Sequence, residues 1–100
     1  MIKHKFHNKI TEVDGIKFRS KKEAEYFKLL KASQKCGEVV FFLRQVPFYL
    51  PGDTKYVCDF VEFWKDGEVK FVDVKGMRTP TYLMKKKQVE ALYPITISEV

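Results

Sequence analysis

The sequence predicts a small α/β domain with a mixed β-sheet, in which two helices flank a central antiparallel meander in the order ββ-α-βββ-α-β. Two segments with helical periodicity, each preceded by a capping residue, separate runs that are rich in β-branched and aromatic residues. A chain of 100 residues has the length of one domain. We therefore expect one domain over residues 1–100, with residues 1–9 as a flexible basic arm.

The first third of the chain predicts a hairpin followed by a helix. Two short strands surround Asp14-Gly15, a favoured pair for a tight hairpin turn. Ser20 and Glu23 have the S-x-x-E spacing of a capping box, so we expect a helix to begin after Ser20 and to stop near Gly37.

The rest of the chain predicts three strands, a helix and a last strand. Residues 39–50 read as a strand that breaks or ends near Pro47. Residues 56–64 and 69–76 read as a hairpin joined by the tight turn KDGE. Thr79 caps the second helix, and Pro80 takes its first position. The last strand returns after this helix, so we expect it to lie parallel to a neighbour.

Composition limits the function and the location. The chain has 19 Lys and Arg against 13 Asp and Glu, a formal charge of +6, which favours a polyanionic partner such as nucleic acid. No apolar run approaches the roughly 18 residues of a membrane helix, and the N-terminus lacks the apolar block of a signal peptide. We expect no membrane association and a cytoplasmic location. Cys36 and Cys58 form no CxxC pair, so we expect no zinc site. The sequence leaves a disulfide open, but two reduced core thiols are favoured because the cytosol keeps thiols reduced.

The predicted hairpin brings together residue types that can bind a metal ion. Asp59 lies on its first strand, and Asp73 and Lys75 lie on its second. Two carboxylates close together repel each other, and a divalent cation removes that cost. Oxygen ligands suit Mg²⁺ or Mn²⁺, and a nearby lysine can contact a phosphate or orient a water.

The register of this hairpin decides whether the two carboxylates meet. Pairing Trp64 with Val69 places Asp59 and Asp73 on opposite faces of the sheet. A slip of one residue, for example through a bulge, places them on the same face. The sequence leaves both registers open.

The spacing of these residues resembles a known signature. Asp59 followed by Asp73-Val74-Lys75 reads as D-x13-D-x-K, which resembles the PD-(D/E)xK nuclease signature. The wider pattern is similar to small phage-encoded nuclease-like proteins of the DUF1064 type, which are related in fold to Holliday-junction resolvases. The residues that carry this wider pattern are Phe18, Ser20, Glu23, Ala24, RQVPFYL, Asp59-Phe60 and DVKG. Cys58 stands where the signature has proline, and Asp73 stands where glutamate is commoner.

The resemblance implies a restriction-endonuclease-like core and a Mg²⁺-dependent endonuclease, with Mn²⁺ as a substitute, that hydrolyses DNA phosphodiester bonds in phage replication or recombination. In that reading Asp59 and Asp73 hold the metal, Glu23 adds a ligand, and Lys75 orients the attacking water. Gln45 and Lys85 are expected near the site. The residues expected to contact nucleic acid are Arg78, Lys86, Lys87 and Tyr82.

Several alternatives stay open. Glu23 could serve only as a helix cap, and Tyr82 could belong to the core. Glu62, three residues from Asp59, is expected on the opposite face and at the surface. The whole chain could be a non-catalytic nucleic-acid-binding module or a structural protein of a phage replication complex. The DNA structure that is cut, branched or plain, is not predicted. Cutting both strands favours a homodimer.

Overall fold

The structure is a computed structural model that describes residues 10–74 and 78–100. The predicted basic arm and the predicted catalytic Lys75 lie outside these residues. The element order ββ-α-βββ-α-β is confirmed, with β1 at Thr11–Val13, β2 at Ile16–Phe18, α1 at Lys21–Lys35, β3 at Val39–Leu50, β4 at Thr54–Trp64, β5 at Val69–Asp73, α2 at Pro80–Leu92 and β6 at Ile97–Glu99.

The strands form two sheets. β1 and β2 make a two-stranded antiparallel sheet, and the other four make a sheet in the order β3-β4-β5-β6. β3, β4 and β5 are the predicted antiparallel meander, while β6 pairs with β5 in parallel. The mixed sheet and the parallel last strand are therefore confirmed.

The first hairpin turns as its sequence predicts. Asp14 and Gly15 both have positive φ, 53° and 77°, between the paired residues Val13 and Ile16. A two-residue turn with positive φ at both positions matches the twist of the flanking strands, which is why Asp-Gly is favoured there.

The predicted break at Pro47 is wrong. β3 runs unbroken from Val39 to Leu50, and Pro47 is paired with Val57 of β4. β3 is an edge strand of its sheet, and an edge strand tolerates a residue without an N–H because only one side of it needs ladder hydrogen bonds.

The helices cover opposite faces of the four-stranded sheet. Neighbouring residues of a strand point to opposite faces, and Phe60 packs in one core whereas Val61 packs in the other. The α1 core consists of Phe18, Ala24, Phe27, Leu30, Val39, Phe60, Val72 and Val74. The α2 core consists of Leu50, Tyr56, Cys58, Val61, Val89 and Ile97.

The cysteines are free, as expected, but only one is a core residue. Cys58 is buried, whereas Cys36 is exposed at the C-cap of α1, so the expectation of a core thiol is wrong there. A position just beyond the end of a helix points away from the packed stripe. Within the described part of the chain, neither helix has the length and apolar character needed to cross a membrane.

Candidate active site at the end of the β4–β5 ladder

The β4–β5 hairpin adopts the slipped register. Phe63 pairs with Val69 and Phe60 pairs with Val72, so the regular pairing of Trp64 with Val69 is wrong. The turn is one residue shorter than predicted: Trp64 N–H donates to Glu68 O at 2.9 Å, so three residues, 65–67, separate the two strands instead of the four of KDGE. Glu68 N–H donates to Asp66 Oδ1 at 2.9 Å within this turn. Continued by one position, this register brings Asp59 opposite Asp73.

The two aspartates end the ladder by exchanging hydrogen bonds with each other's strands. Beyond the Phe60–Val72 pair, Asp59 N–H donates to Asp73 Oδ1 at 3.0 Å. In return, Val74 N–H donates to Asp59 Oδ2 at 2.9 Å. Carboxylate oxygens thus take the place of main-chain carbonyls, which holds both side chains where the two strands separate.

Near Asp59 and Gln45, the regular alternation of side chains between the two faces of the sheet is broken. Cys58 packs in the α2 core, although strict alternation would place it on the same face as Phe60 of the α1 core. On β3, Phe42 packs against the α1 core and Phe48 against the α2 core, and between them Gln45 has a φ of 53°. Such backbone costs about 1–2 kcal/mol for a residue other than glycine, and it concentrates at functional sites.

Gln45 connects the first helix to the hairpin. Its Nε2 donates to Glu23 Oε2 at 3.1 Å and to Asp59 Oδ1 at 3.3 Å. Glu23 is in the first turn of α1, which Ser20 caps by accepting from Glu23 N–H at 3.0 Å, and it is only 8% exposed. We call Glu23, Asp59 and Asp73 the carboxylate cluster. Asp73 is fully buried.

The carboxylate cluster suits a hard cation in its donor chemistry. Carboxylate oxygens are the ligands that Mg²⁺ prefers, and an oxygen that accepts one N–H keeps a further lone pair. The Gln45 amide nitrogen lies between the carboxylates of Glu23 and Asp59 and donates to both. Across residues 10–74 and 78–100, no three His, Cys, Asp or Glu side chains are arranged so that they could hold a metal ion as they stand. Asp59, Asp73 and Glu23 are the residues that would bind it.

Cys58, which precedes Asp59, fastens the two strands. Its Sγ–H donates to Phe60 O at 3.3 Å and to Val72 O at 3.6 Å. Burial raises the pKa of this thiol to about 11, so it stays protonated at neutral pH. A protonated thiol is a poor metal ligand, and Cys58 therefore belongs to the support of the site.

Glu62 contradicts the prediction that it lies at the surface. It is fully buried beneath α1. Its carboxylate accepts from Tyr26 Oη–H at 2.5 Å and from Trp64 Nε1–H at 3.0 Å. The prediction assumed that side chains alternate regularly between the two faces along β4, and this alternation is broken at Asp59. The signal in the sequence was Trp64, two residues further on the same face of the strand, because a packed indole N–H needs an acceptor.

The basic residues after the signature differ in their surroundings. Arg78 forms an ion pair with Glu99 at 3.3 Å, and Lys86 forms one with Glu90 at 3.6 Å. Lys87 is exposed. That Arg78, Lys86 and Lys87 contact nucleic acid stays a prediction.

Tyr82 is a packed residue rather than a free surface ring. Its Oη–H donates to Glu99 Oε2 at 2.7 Å, and its ring lies 6.3 Å from that of Tyr56. Burial, followed by the bond to Glu99, raises the pKa of Tyr82, and the bond from Tyr82 lowers the pKa of Glu99.

Lys85 lies on the α2 side of the sheet. It lines a cavity of about 300 Å³ between α2 and β4, together with Lys55 and Tyr56. Glu23 and Gln45, by contrast, are bonded to each other on the α1 side of the sheet. Sequence reasoning did not single out Lys55 or Tyr56.

Comparison with known protein families identifies a related family. A family model described as "Protein of unknown function (DUF1064)" matches residues 3–98. No curated protein and no solved structure matches the chain.

Proposed function

Since the chain belongs to the DUF1064 family, whose description names no activity, we propose its function from the site itself: a metal-dependent endonuclease that hydrolyses DNA phosphodiester bonds. The proposal includes a restriction-endonuclease-like core of the PD-(D/E)xK type. Phage replication or recombination, with branched or junction DNA among the substrates, is the context that the resemblance suggests.

The exchange of hydrogen bonds between Asp59 and Asp73 is the observation that carries the proposal. Two acids that each bind the other's strand are held close together, and one of them, Asp73, is fully buried. A buried carboxylate is costly, so its presence at the end of a sheet ladder asks for a function. Metal binding is the function that two such acids serve best.

In the proposed reaction, each residue of the site would have a separate role beside the metal ion. A bound Mg²⁺ supplies charge stabilisation at the phosphate and a more acidic water. Asp59 and Asp73 stay oriented by the main-chain N–H groups they accept, and Gln45 orients Glu23 toward Asp59. Lys75, which lies outside the described residues, keeps its predicted role of orienting the attacking water.

The partner proposed is DNA. A net charge of +6 on 100 residues attracts a polyanion over a range of about a Debye length, roughly 8–10 Å at moderate salt. One site per chain cuts one strand, so cleavage of both strands of a duplex would call for a homodimer.

Asp73→Asn tests the activity. The amide oxygen of asparagine can still accept from Asp59 N–H, so the fold should survive while metal binding weakens. We expect cleavage to fall by roughly 100-fold or more with DNA binding retained. The assay is cleavage of duplex, single-stranded, flap and four-way-junction DNA with Mg²⁺ or Mn²⁺, with metal binding measured by calorimetry.

A matched pair on α1 controls this test. Glu23→Gln should reduce cleavage, whereas Glu25→Gln should not, because Glu25 is exposed and pairs with Lys28 at 3.3 Å. Cleavage by Asp73→Asn at the wild-type rate would contradict the proposal. DNA binding by the wild type without cleavage under any metal would favour the non-catalytic binding module.

A further inference from the structure

The cavity between β4 and the start of α2 is lined by cationic and hydroxyl side chains. Its volume of about 300 Å³ is at the small end of ligand pockets, which span roughly 300–1,000 Å³. We call it the α2 cavity. Its polar lining consists of Lys55 and Tyr56 from β4, and Thr79, Thr81, Tyr82 and Lys85 from the start of α2.

The positive charge of the α2 cavity is not balanced. In the described parts of the chain, neither Lys55 nor Lys85 forms an ion pair, whereas the neighbouring Arg78 and Lys86 are paired with Glu99 and Glu90. Among the residues that the structure describes, no acidic side chain lines the cavity. Two unpaired ammonium groups around one small cavity favour an anion as its occupant.

A second observation points to a ligand in the same place. Tyr56 is only 3% exposed, and its buried hydroxyl has no hydrogen-bond partner within residues 10–74 and 78–100. Buried hydroxyl groups nearly always have a partner, because an unsatisfied one costs free energy. An anionic oxygen entering the cavity could accept this O–H.

The side chains, not the helix backbone, supply the donors. Pro80 has no N–H, Tyr82 N–H donates to Thr79 Oγ1 at 3.1 Å, and Leu83 N–H donates to Thr79 O at 3.0 Å. The hydroxyls of Thr79 and Thr81 remain able to donate. The cavity therefore offers two ammonium groups and three hydroxyls to one ligand.

We propose that the α2 cavity binds one phosphate of a DNA backbone, a few nucleotides away from the phosphate that is cut. This inference rests on the proposed function. Lys55 precedes Asp59 by four residues on β4, which is roughly 13 Å along a strand. The bound phosphate sets the register of the DNA strand relative to the carboxylate cluster.

The test measures DNA binding without metal, so that cleavage plays no part. A labelled duplex is titrated at several salt concentrations in EDTA with wild type, the double variant Lys55→Gln/Lys85→Gln, and Lys35→Gln. Lys35 is an exposed lysine in the last turn of α1, away from both sites. The magnitude of the negative slope of log K against log[salt] should decrease by about two in the double variant and by less in the control.

Tyr56→Phe separates ligand binding from structure. Removing a hydroxyl that has no partner among the described residues should leave the melting temperature unchanged or higher, while the affinity for DNA falls several-fold. Equal affinity for Tyr56→Phe and wild type would overturn the proposal. So would a double variant that keeps the salt slope of Lys35→Gln.

Neutralised linkages identify the phosphate. In a scan with one methylphosphonate per duplex, wild type should lose affinity at one position, and the double variant should show no such position. If inorganic phosphate shifts the amides of Thr79 and Thr81 but no position emerges from the scan, the site takes free anions and the proposal is overturned.

The outcomes keep the two proposals apart. A reduced salt slope in the double variant, with no cleavage by wild type, would support the phosphate site and contradict the nuclease. Cleavage that Asp73→Asn abolishes, with an unchanged slope in the double variant, would support the nuclease and contradict the phosphate site.

Discussion

Gln45 combines a strained backbone with contacts to two acids. Its φ of 53° is a conformation that an L-residue adopts at a cost, and its amide bridges Glu23 and Asp59. The strain turns the side chain toward α1 at the level where β4 changes phase. The sequence marked Gln45 only through the resemblance, because no propensity scale predicts a left-handed glutamine within a strand.

The strain at Gln45 predicts an unusual order of stability. Q45G should be more stable than Q45A by about 1 kcal/mol, because glycine adopts positive φ without a steric cost. Urea denaturation of the two variants checks this difference. At Tyr49, an exposed residue of the same strand with ordinary φ, the order should reverse, with Y49A above Y49G. Q45A at or above the stability of Q45G would contradict the strain.

At the level of elements, α1 positions the carboxylate of Glu23. Ser20 Oγ accepts from Glu23 N–H at 3.0 Å, and Ala24, Phe27 and Leu30 anchor the helix in the α1 core. Both helix starts, with Ser20 and Thr79 as N-caps, were predicted from sequence and are confirmed. Caps depend on local chemistry, which is why they were predictable.

The cap predicts opposite effects of one substitution at two places on α1. Ser20→Ala should lower the free energy of unfolding by about 1 kcal/mol, because a first-turn N–H loses its acceptor. Ser33→Ala, within the same helix, should be neutral or slightly stabilising, because alanine is the better helix former. Thermal or urea unfolding measures both. Equal effects of the two substitutions would exclude a capping role for Ser20.

The β4–β5 hairpin shows what sequence reasoning about elements misses. Both strands and their antiparallel pairing were predicted, whereas the sequence left two registers open, of which the structure adopts the slipped one. The turn closes one residue earlier than predicted, with Trp64 opposite Glu68 rather than Val69, and that changes the partner of every residue in the hairpin. The prediction for Glu62 failed with the alternation, since a phase change is not visible in one strand alone.

Across the whole molecule, the buried thiol of Cys58 and the half-buried phenol of Tyr26 link stability to alkaline pH. Burial raises the pKa of Cys58 from 9.0 to about 11, and burial followed by the bond to Glu62 raises the pKa of Tyr26. Both groups hold their protons longer in the folded state than in the unfolded one. The contribution of Cys58 is complete below pH 9 and is lost as the pH rises toward 11, whereas that of Tyr26 is complete below pH 10 and is lost only at higher pH.

The free energy of unfolding should therefore fall between pH 9 and pH 11, by on the order of 2 kcal/mol from Cys58. Urea unfolding with a reductant, at a series of pH values, measures it. Cys58→Ala should flatten the first part of this decline, whereas Cys36→Ala, at an exposed thiol, should leave it unchanged. A profile of Cys58→Ala parallel to that of wild type would exclude the linkage.

The sequence by itself determined the element order, the two caps, the Asp14-Gly15 hairpin and the acids worth attention, because periodicity, capping and turn chemistry act over a few residues. Only the tertiary structure decided the register at Asp59 and Asp73, the burial of Glu62 and the α2 cavity around Tyr56. These depend on contacts between segments far apart in the chain. In such contacts one residue of slip or one left-handed glutamine redirects every neighbouring side chain.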